Sequence, residues 1–148
     1  MAPITEPDAV RVLTVRQPWA DALAYLGKDI ENRSRRTTYT GVLYIQAGLR
    51  PDPDAYAQLP SRDDLPGVTG AVIAVARLTG AHHECDCSCS TWAFKGAWHW
   101  EIADAVPLTT PVTAKGRLGL WIPDTQLRAQ VAAVTPSPHH STTPRSTA

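Results

Sequence analysis

Residues 12–33 read VLTVRQPWADALAYLGKDIENR, and the order of features in this stretch decides the fold. Val12, Leu13 and Val15 around Thr14 favour a strand over about residues 10–16, because branched side chains suit a pleated, half-buried surface. Pro18 fixes its own backbone angle and fits the first turn of a helix, where a missing N–H costs nothing. Trp19, Ala22, Leu23 and Leu26 then recur at spacings of three and four, which paints one face of a helix over 18–26. Gly27 supplies the left-handed residue that ends such a helix. Lys28, Asp29, Glu31 and Arg33 follow at once in a short strand, about 29–33. A charged run directly behind a buried helix is the feature that calls for a function.

Outward from this stretch the chain reads as α+β. Residues 1–9 form a polar lead, and Ser34 to Thr38 a basic polar loop. Gly41 opens the strand Val42 to Ala47, and a helix is predicted from Pro53 to Leu59 with Asp52 as its cap. Pro60 to Gly67 is a turn-rich connection. Ala71 to Leu78 (AVIAVARL) is nearly continuous apolar sequence, as in a central strand. Thr79 to Lys95 is an excursion, followed by strands at 98–103 and 118–122 and a helix at 124–134. Residues 135–148, rich in Pro, Ser and Thr, are expected to be disordered.

The run RQPWADALAYLGKDIENR (16–33) resembles the opening of the ASCH domain, a small barrel of the PUA-like superfamily. Arg16-Gln17-Pro18-Trp19 at the helix entrance, Gly27-Lys28 at its exit and the Lys28-x-x-Glu31-x-Arg33 spacing carry the resemblance. The strands at 41–47 and 70–78 and the closing Gly116-x-x-Gly119-Leu120-Trp121 agree with it, so that it covers about residues 10 to 123. It implies a small mixed or antiparallel β-barrel with two or three flanking helices, and a cleft for RNA or a modified pyrimidine nucleoside. Some bacterial members of the superfamily are amidohydrolases that remove acetyl from 4-acetylcytidine. They use a lysine matching Lys28, a threonine three residues later and a glutamate further on. Here Glu31 stands in place of that threonine, and Glu84 and Glu101 are the candidates for the later glutamate. Other relatives are ribonucleases, or bind RNA without known catalysis.

Charge sets limits on the partner. The 148 residues carry 14 bases and 14 acids, a balance that argues against gripping long nucleic acid by charge alone. The distribution is uneven, however. Residues 11–50 hold seven bases (Arg11, Arg16, Lys28, Arg33, Arg35, Arg36, Arg50) against three acids, and Asp52, Asp54, Asp63 and Asp64 follow. A basic face confined to one edge suits a short or single-nucleotide anionic ligand; a solvated face of uneven charge is the plainer alternative. The N-terminus lacks the pattern of a secretory signal, and no apolar run approaches the ~20 residues that span a bilayer. A cytoplasmic protein with no membrane partner is expected.

Lys28 and Glu31 are the candidate catalytic pair. In an extended 29–33, Asp29, Glu31 and Arg33 share one face, and Lys28 can bend towards it. Holding a lysine neutral at pH 7 costs about 4 to 5 kcal/mol, so a charged Lys28 paired with Glu31 is the easier state. That state serves ligand binding or a proton relay through water; a salt-bridge cluster locking helix to strand is the alternative. Arg16, Gln17, Trp19, Arg33, Arg36, Tyr39 and His99 are the candidate nucleotide-binding residues. Gln17 offers an amide that reads a base edge, and Trp19 a stacking plane or a core filler. Arg36 and Tyr39, with Arg35, lie in a loop suited to phosphate and stacking. Alternation puts His99 and Glu101 on the face opposite Trp98 and Trp100, where His99 either faces the cleft, and with Lys28 is the one pair that would serve a ribonuclease, or is simply hydrogen-bonded within the sheet. Lys115 and Arg117 flank Gly116 in a loop that either approaches a phosphate or is a solvated turn.

No cofactor or metal is expected. His82-His83-Glu84-Cys85-Asp86-Cys87-Ser88-Cys89 invites a zinc reading, but in an extended run alternate thiols stand about 6.5 Å apart and the outer pair about 13 Å. Zn–S bonds are ~2.3 Å, so only a tight turn would gather them.

Overall fold

The first strand, β1 (Val10–Val15), is buried on both faces, and the architecture follows from what covers each. Its parallel neighbour is β3 (Gly41–Ala47), reached through the helix α1 (Trp19–Tyr25) and the short strand β2 (Ile30–Arg33). After a 3-10 helix at Pro53–Gln58 come β4 (Ala71–His82), β5 (Trp98–Thr113), the two-residue β6 (Leu120–Trp121) and the helix α2 (Thr125–Ala133). The computed structural model describes residues 9–59, 64–83 and 85–137.

The strands form one mixed sheet in the order β2-β5-β4-β3-β1-β6, with β1–β3 the parallel pair and the other pairs antiparallel. The register of β4 against β5 slips at Val72/Ala74, Val75/Arg77 and Leu78/Gly80. Each slip inserts unpaired backbone on one strand and increases the local twist, which curls the sheet into a half-barrel. Leu13, Val15, Leu43, Ile45 and Leu78 face α1 and pack on Ala20 and Leu23. Val12, Tyr44, Val72 and Leu108 face the other way and are covered by Leu127 and Val131 of α2. Coverage on both sides explains why these strands read as apolar runs rather than as alternating ones. No helix among the described residues is long and apolar enough to cross a membrane.

Most predicted elements form with boundaries shifted by one or two residues, and three differ. The segment 53–58 is 3-10 rather than α, although Asp52 does cap it through Asp54 N–H at 3.2 Å. The strand from Ala71 runs on to His82, so the excursion is shorter than expected and is a hairpin loop over 83–97. The strand from Trp98 runs on to Thr113 despite Asp104, Pro107 and Pro111. Asp104 takes a left-handed φ of 57° where the pairing is irregular, so a break in the sequence pattern is absorbed as a kink in one long strand. The polar lead up to Asp8, residues 60–63 of the predicted connection, Glu84, and the tail from 138 onward lie outside the described residues.

Local chemistry positions the charged run. Gln17 Oε1 accepts the Asp21 N–H at 2.9 Å, satisfying a donor that α1 would otherwise leave open at its first turn. At the other end Gly27 takes φ 74°, and the Lys28 N–H returns to Ala22 O at 3.2 Å. This left-handed closure swings the chain back against the sheet and delivers Lys28 beside the start of β2.

Candidate functional site

Lys28, Glu31 and Arg33 converge, because Glu31 and Arg33 share a face of β2 and Lys28 reaches that face from the helix exit. The Lys28 and Glu31 side chains are only 2% and 9% exposed. Arg33 Nε donates to Glu31 Oε2 at 3.1 Å, and its terminal nitrogen donates to Thr14 O at 2.8 Å. Lys28 Nζ stands 3.9 Å from the other oxygen, Oε1, an ion pair too long for a direct hydrogen bond. The same ammonium lies over two indoles, 5.0 Å from the Trp19 ring centre and 5.5 Å from that of Trp92. Burial holds Lys28 below the ordinary lysine range; Glu31 and Asp29 oppose that shift and Arg33 adds to it.

These groups open onto a cavity of about 340 Å³ lined by Thr14, Arg16, Trp19, Asn32, Phe94 and Asp52 besides the three charged residues. That volume is within the range of about 300 to 1,000 Å³ of small-molecule sites. Three cations (Arg16, Lys28, Arg33) face two carboxylates (Glu31, Asp52), a mildly basic lining with aromatic walls.

Trp19 is half-buried and serves both readings: it packs on the core and forms a cleft wall, its indole N–H donating to Asp52 Oδ2 at 3.3 Å. Arg16 lines the mouth, yet two of its nitrogens hold the carbonyls of Arg50 and Pro51. Asp29 turns away from the cleft and accepts from the Ser90 hydroxyl.

Five expectations are corrected. Gln17 is fully buried and its amide is spent on Asp21 and on Val68 O, so it reads no base edge. Tyr39 is outside the cleft lining, with its hydroxyl 2.6 Å from Val42 O and 3.0 Å from Ala9 O at the far end of the sheet. Arg36 also misses the cleft and lies over the Trp98 ring. His99 shares a strand face with Glu101 as alternation predicts, but that face points to the cysteine loop. Glu101 pairs with His82 there, at 2.7 Å, and is no second carboxylate for the cleft.

The spacing argument against a metal also fails. Residues 85–89 are a turn, with Cys87 at φ 69°, and they bring Cys85 Sγ and Cys89 Sγ to 3.3 Å of each other. Lys115 and Arg117 border a separate surface hollow between β6 and α2, where the Arg117 guanidinium lies over Trp121.

The residues that sequence reasoning missed are those brought in from a distance. Asn32 donates to Trp92 O at 2.9 Å and accepts from Phe94 N–H at 2.8 Å, which fixes the aromatic loop against the cleft. Asp52 was expected only as a helix cap. No motif signals either role, since each depends on a partner more than thirty residues away.

Compared with known proteins, the chain matches no family model, and no curated protein matches it in sequence.

Proposed function

We propose that this chain is a PUA-like domain of the ASCH type that binds a nucleobase of RNA, or a modified pyrimidine nucleoside, in the Lys28–Glu31–Arg33 cleft, and that it hydrolyses the acetyl amide of 4-acetylcytidine. The observation that carries the reading is the convergence of a buried ammonium, carboxylate and guanidinium beside a void of nucleobase size walled by Trp19 and Phe94. Trp19 and Phe94 pack edge-to-face with ring centres 5.8 Å apart and make one continuous aromatic wall for a planar base to lie against, while Arg33 and Arg16 favour the electron-rich carbonyl and phosphate oxygens around it.

For hydrolysis the roles follow from the pairings. Arg33 occupies Glu31 Oε2 and leaves Oε1 to accept a proton from a water held between Glu31 and Lys28. That water adds to the acetyl carbonyl, and the Lys28 ammonium stabilises the oxyanion that forms. Collapse breaks the C–N bond and the cytosine amino group takes the proton from Glu31, releasing cytidine and acetic acid, which loses its proton to solvent as acetate. Glu31 does the work that the threonine does in the enzymes it resembles. A reducing, cytoplasmic setting suits the three free thiols.

Chromatography of 4-acetylcytidine incubated with the chain tests the reaction, with Lys28→Ala and Glu31→Gln as controls. Cytidine produced by the native chain and lost in both variants is the expected result. Binding of acetylated or plain nucleoside without product would make the domain a recognition module, and neither binding nor turnover would remove the nucleoside reading altogether.

A further inference from the structure

Away from the cleft, four side chains from three segments meet at one point. His82 ends β4, His99 lies near the start of β5 directly opposite it in the ladder, and Cys85 and Cys89 flank the turn between them. One ligand-type atom from each lies within 4.8 Å of every other. Cys85 Sγ is 3.2 Å and Cys89 Sγ 3.7 Å from His99 Nδ1, and the two sulfurs are 3.3 Å apart. A tetrahedral ion with Zn–S near 2.3 Å and Zn–N of about 2.0 to 2.1 Å spaces its ligand atoms by roughly 3.3 to 3.8 Å. The two sulfurs and His99 Nδ1 therefore already stand close to the edge lengths of one coordination tetrahedron, and the His82 nitrogen lies within 4.8 Å of each.

The hydrogen bonds around them fix which atoms are free to ligate. His99 Nε2 is 2.7 Å from Phe94 O; a carbonyl only accepts, so the ring proton is on Nε2 and the Nδ1 lone pair points at the sulfurs. His82 shows the mirror arrangement. Its Nδ1 donates to Glu101 Oε2 at 2.7 Å, and its Nε2 is buried without a hydrogen-bond partner. An orphaned buried nitrogen is costly unless something occupies it. A carboxylate behind a histidine whose far nitrogen ligates is the support found around protein-bound zinc. The Cys87 N–H donates to Cys85 Sγ at 3.2 Å, which favours a thiolate there.

We propose that His82, Cys85, Cys89 and His99 form a closed zinc site, with four protein ligands and no open position, that pins the 83–97 loop to the sheet. Two thiolates and two neutral imidazoles balance the charge of Zn²⁺, and binding releases the two thiol protons to solvent. Soft sulfur with imidazole in tetrahedral array selects zinc over the hard, oxygen-seeking Mg²⁺ and Ca²⁺. A binuclear iron–sulfur cluster sets its terminal ligands apart by the width of two irons and does not fit atoms this close. Cys87, between the two ligands in sequence, is no part of the set. The consequence reaches the cleft: the same loop carries Trp92 and Phe94, so the metal would hold the aromatic wall over Lys28. The site stands on its own geometry and is independent of what the cleft binds.

The test is metal analysis of the full chain, purified without a histidine tag and under reducing conditions, together with replacement of the metal by Co²⁺. We expect one zinc per chain. The Co²⁺ form should show the intense visible bands of tetrahedral coordination and a thiolate-to-metal charge-transfer band. Cys87→Ser should keep both signals, while Cys89→Ser and His82→Ala should lose them. Glu101→Gln should keep the spectrum and weaken zinc affinity by roughly 10- to 100-fold against a chromophoric chelator. Because the ligand variants can fail to fold, the Co²⁺ spectrum of the native chain decides on its own. An octahedral spectrum without thiolate charge transfer, no zinc uptake by the reduced chain, or a stable Cys85–Cys89 disulfide in its place overturns the assignment.

Discussion

Phe94 donates its backbone N–H to Asn32 Oδ1 at 2.8 Å, and this bond ties the aromatic loop to the strand that bears Glu31 and Arg33. With the second bond from Asn32 Nδ2 to Trp92 O, one amide side chain sets the distance between the charged floor of the cleft and its aromatic wall. Asn32→Ala is expected to cost about 0.5 to 1.5 kcal/mol per bond in stability, the net worth of an ordinary hydrogen bond, because both partners keep some access to water. Denaturant unfolding measures the loss, and hydrogen exchange should rise at 92–94 while the β4–β3–β1 centre of the sheet stays protected. Unchanged exchange in the loop would show that the two Asn32 bonds are not what holds it.

Removing Arg33 separates the cleft's electrostatics from its shape. Arg33→Ala deletes the bonds to Glu31 Oε2 and Thr14 O and leaves the Glu31 carboxylate with Lys28 at 3.9 Å. The expected outcome is a loss of roughly 1.5 to 3 kcal/mol in stability, as for hydrogen bonds to charged groups, together with weakened nucleoside binding by calorimetry. Arg36→Ala, whose side chain lies on Trp98 outside the cleft, should leave that affinity unchanged.

The buried lysine gives a pH dependence of definite sign. Burial lowers the Lys28 pKa in the folded chain, so between that lowered value and the ordinary ~10.4 the unfolded chain binds more protons. Stability contributed by this group therefore rises with pH through that window, and is fully lost below the folded pKa. In Lys28→Met the rise should vanish. Unfolding free energies measured at several pH values below ~10.4 check it, and an equal slope in both chains would mean that Lys28 is not the cause.

Gln17 is expected to behave as scaffold. Gln17→Leu strands Asp21 N–H and Val68 O, and should destabilise by about 1 to 3 kcal/mol per group left unsatisfied. Under conditions where the variant is fully folded, nucleoside affinity should match that of the native chain. A selective loss of affinity at unchanged stability would restore Gln17 as a contact.

What the sequence determined by itself is what depends on neighbours along the chain. The apolar spacing of α1, its ending at Gly27, the cap at Asp52, and the meeting of Lys28, Glu31 and Arg33 are all local, governed by helical and strand periods over a few residues. The tertiary structure decided the matters that need a partner far along the chain. Alternation put His99 and Glu101 on one face, but only the β4–β5 register, which sets His82 opposite His99, decided that the face looks at two cysteines and not at the cleft. Gln17 sits between the cleft-lining Arg16 and Trp19 and still turns inward, because the open donor of α1 and a distant carbonyl offered it bonds. A period says which side chains share a face; what that face meets depends on chain crossing it from elsewhere in the sheet.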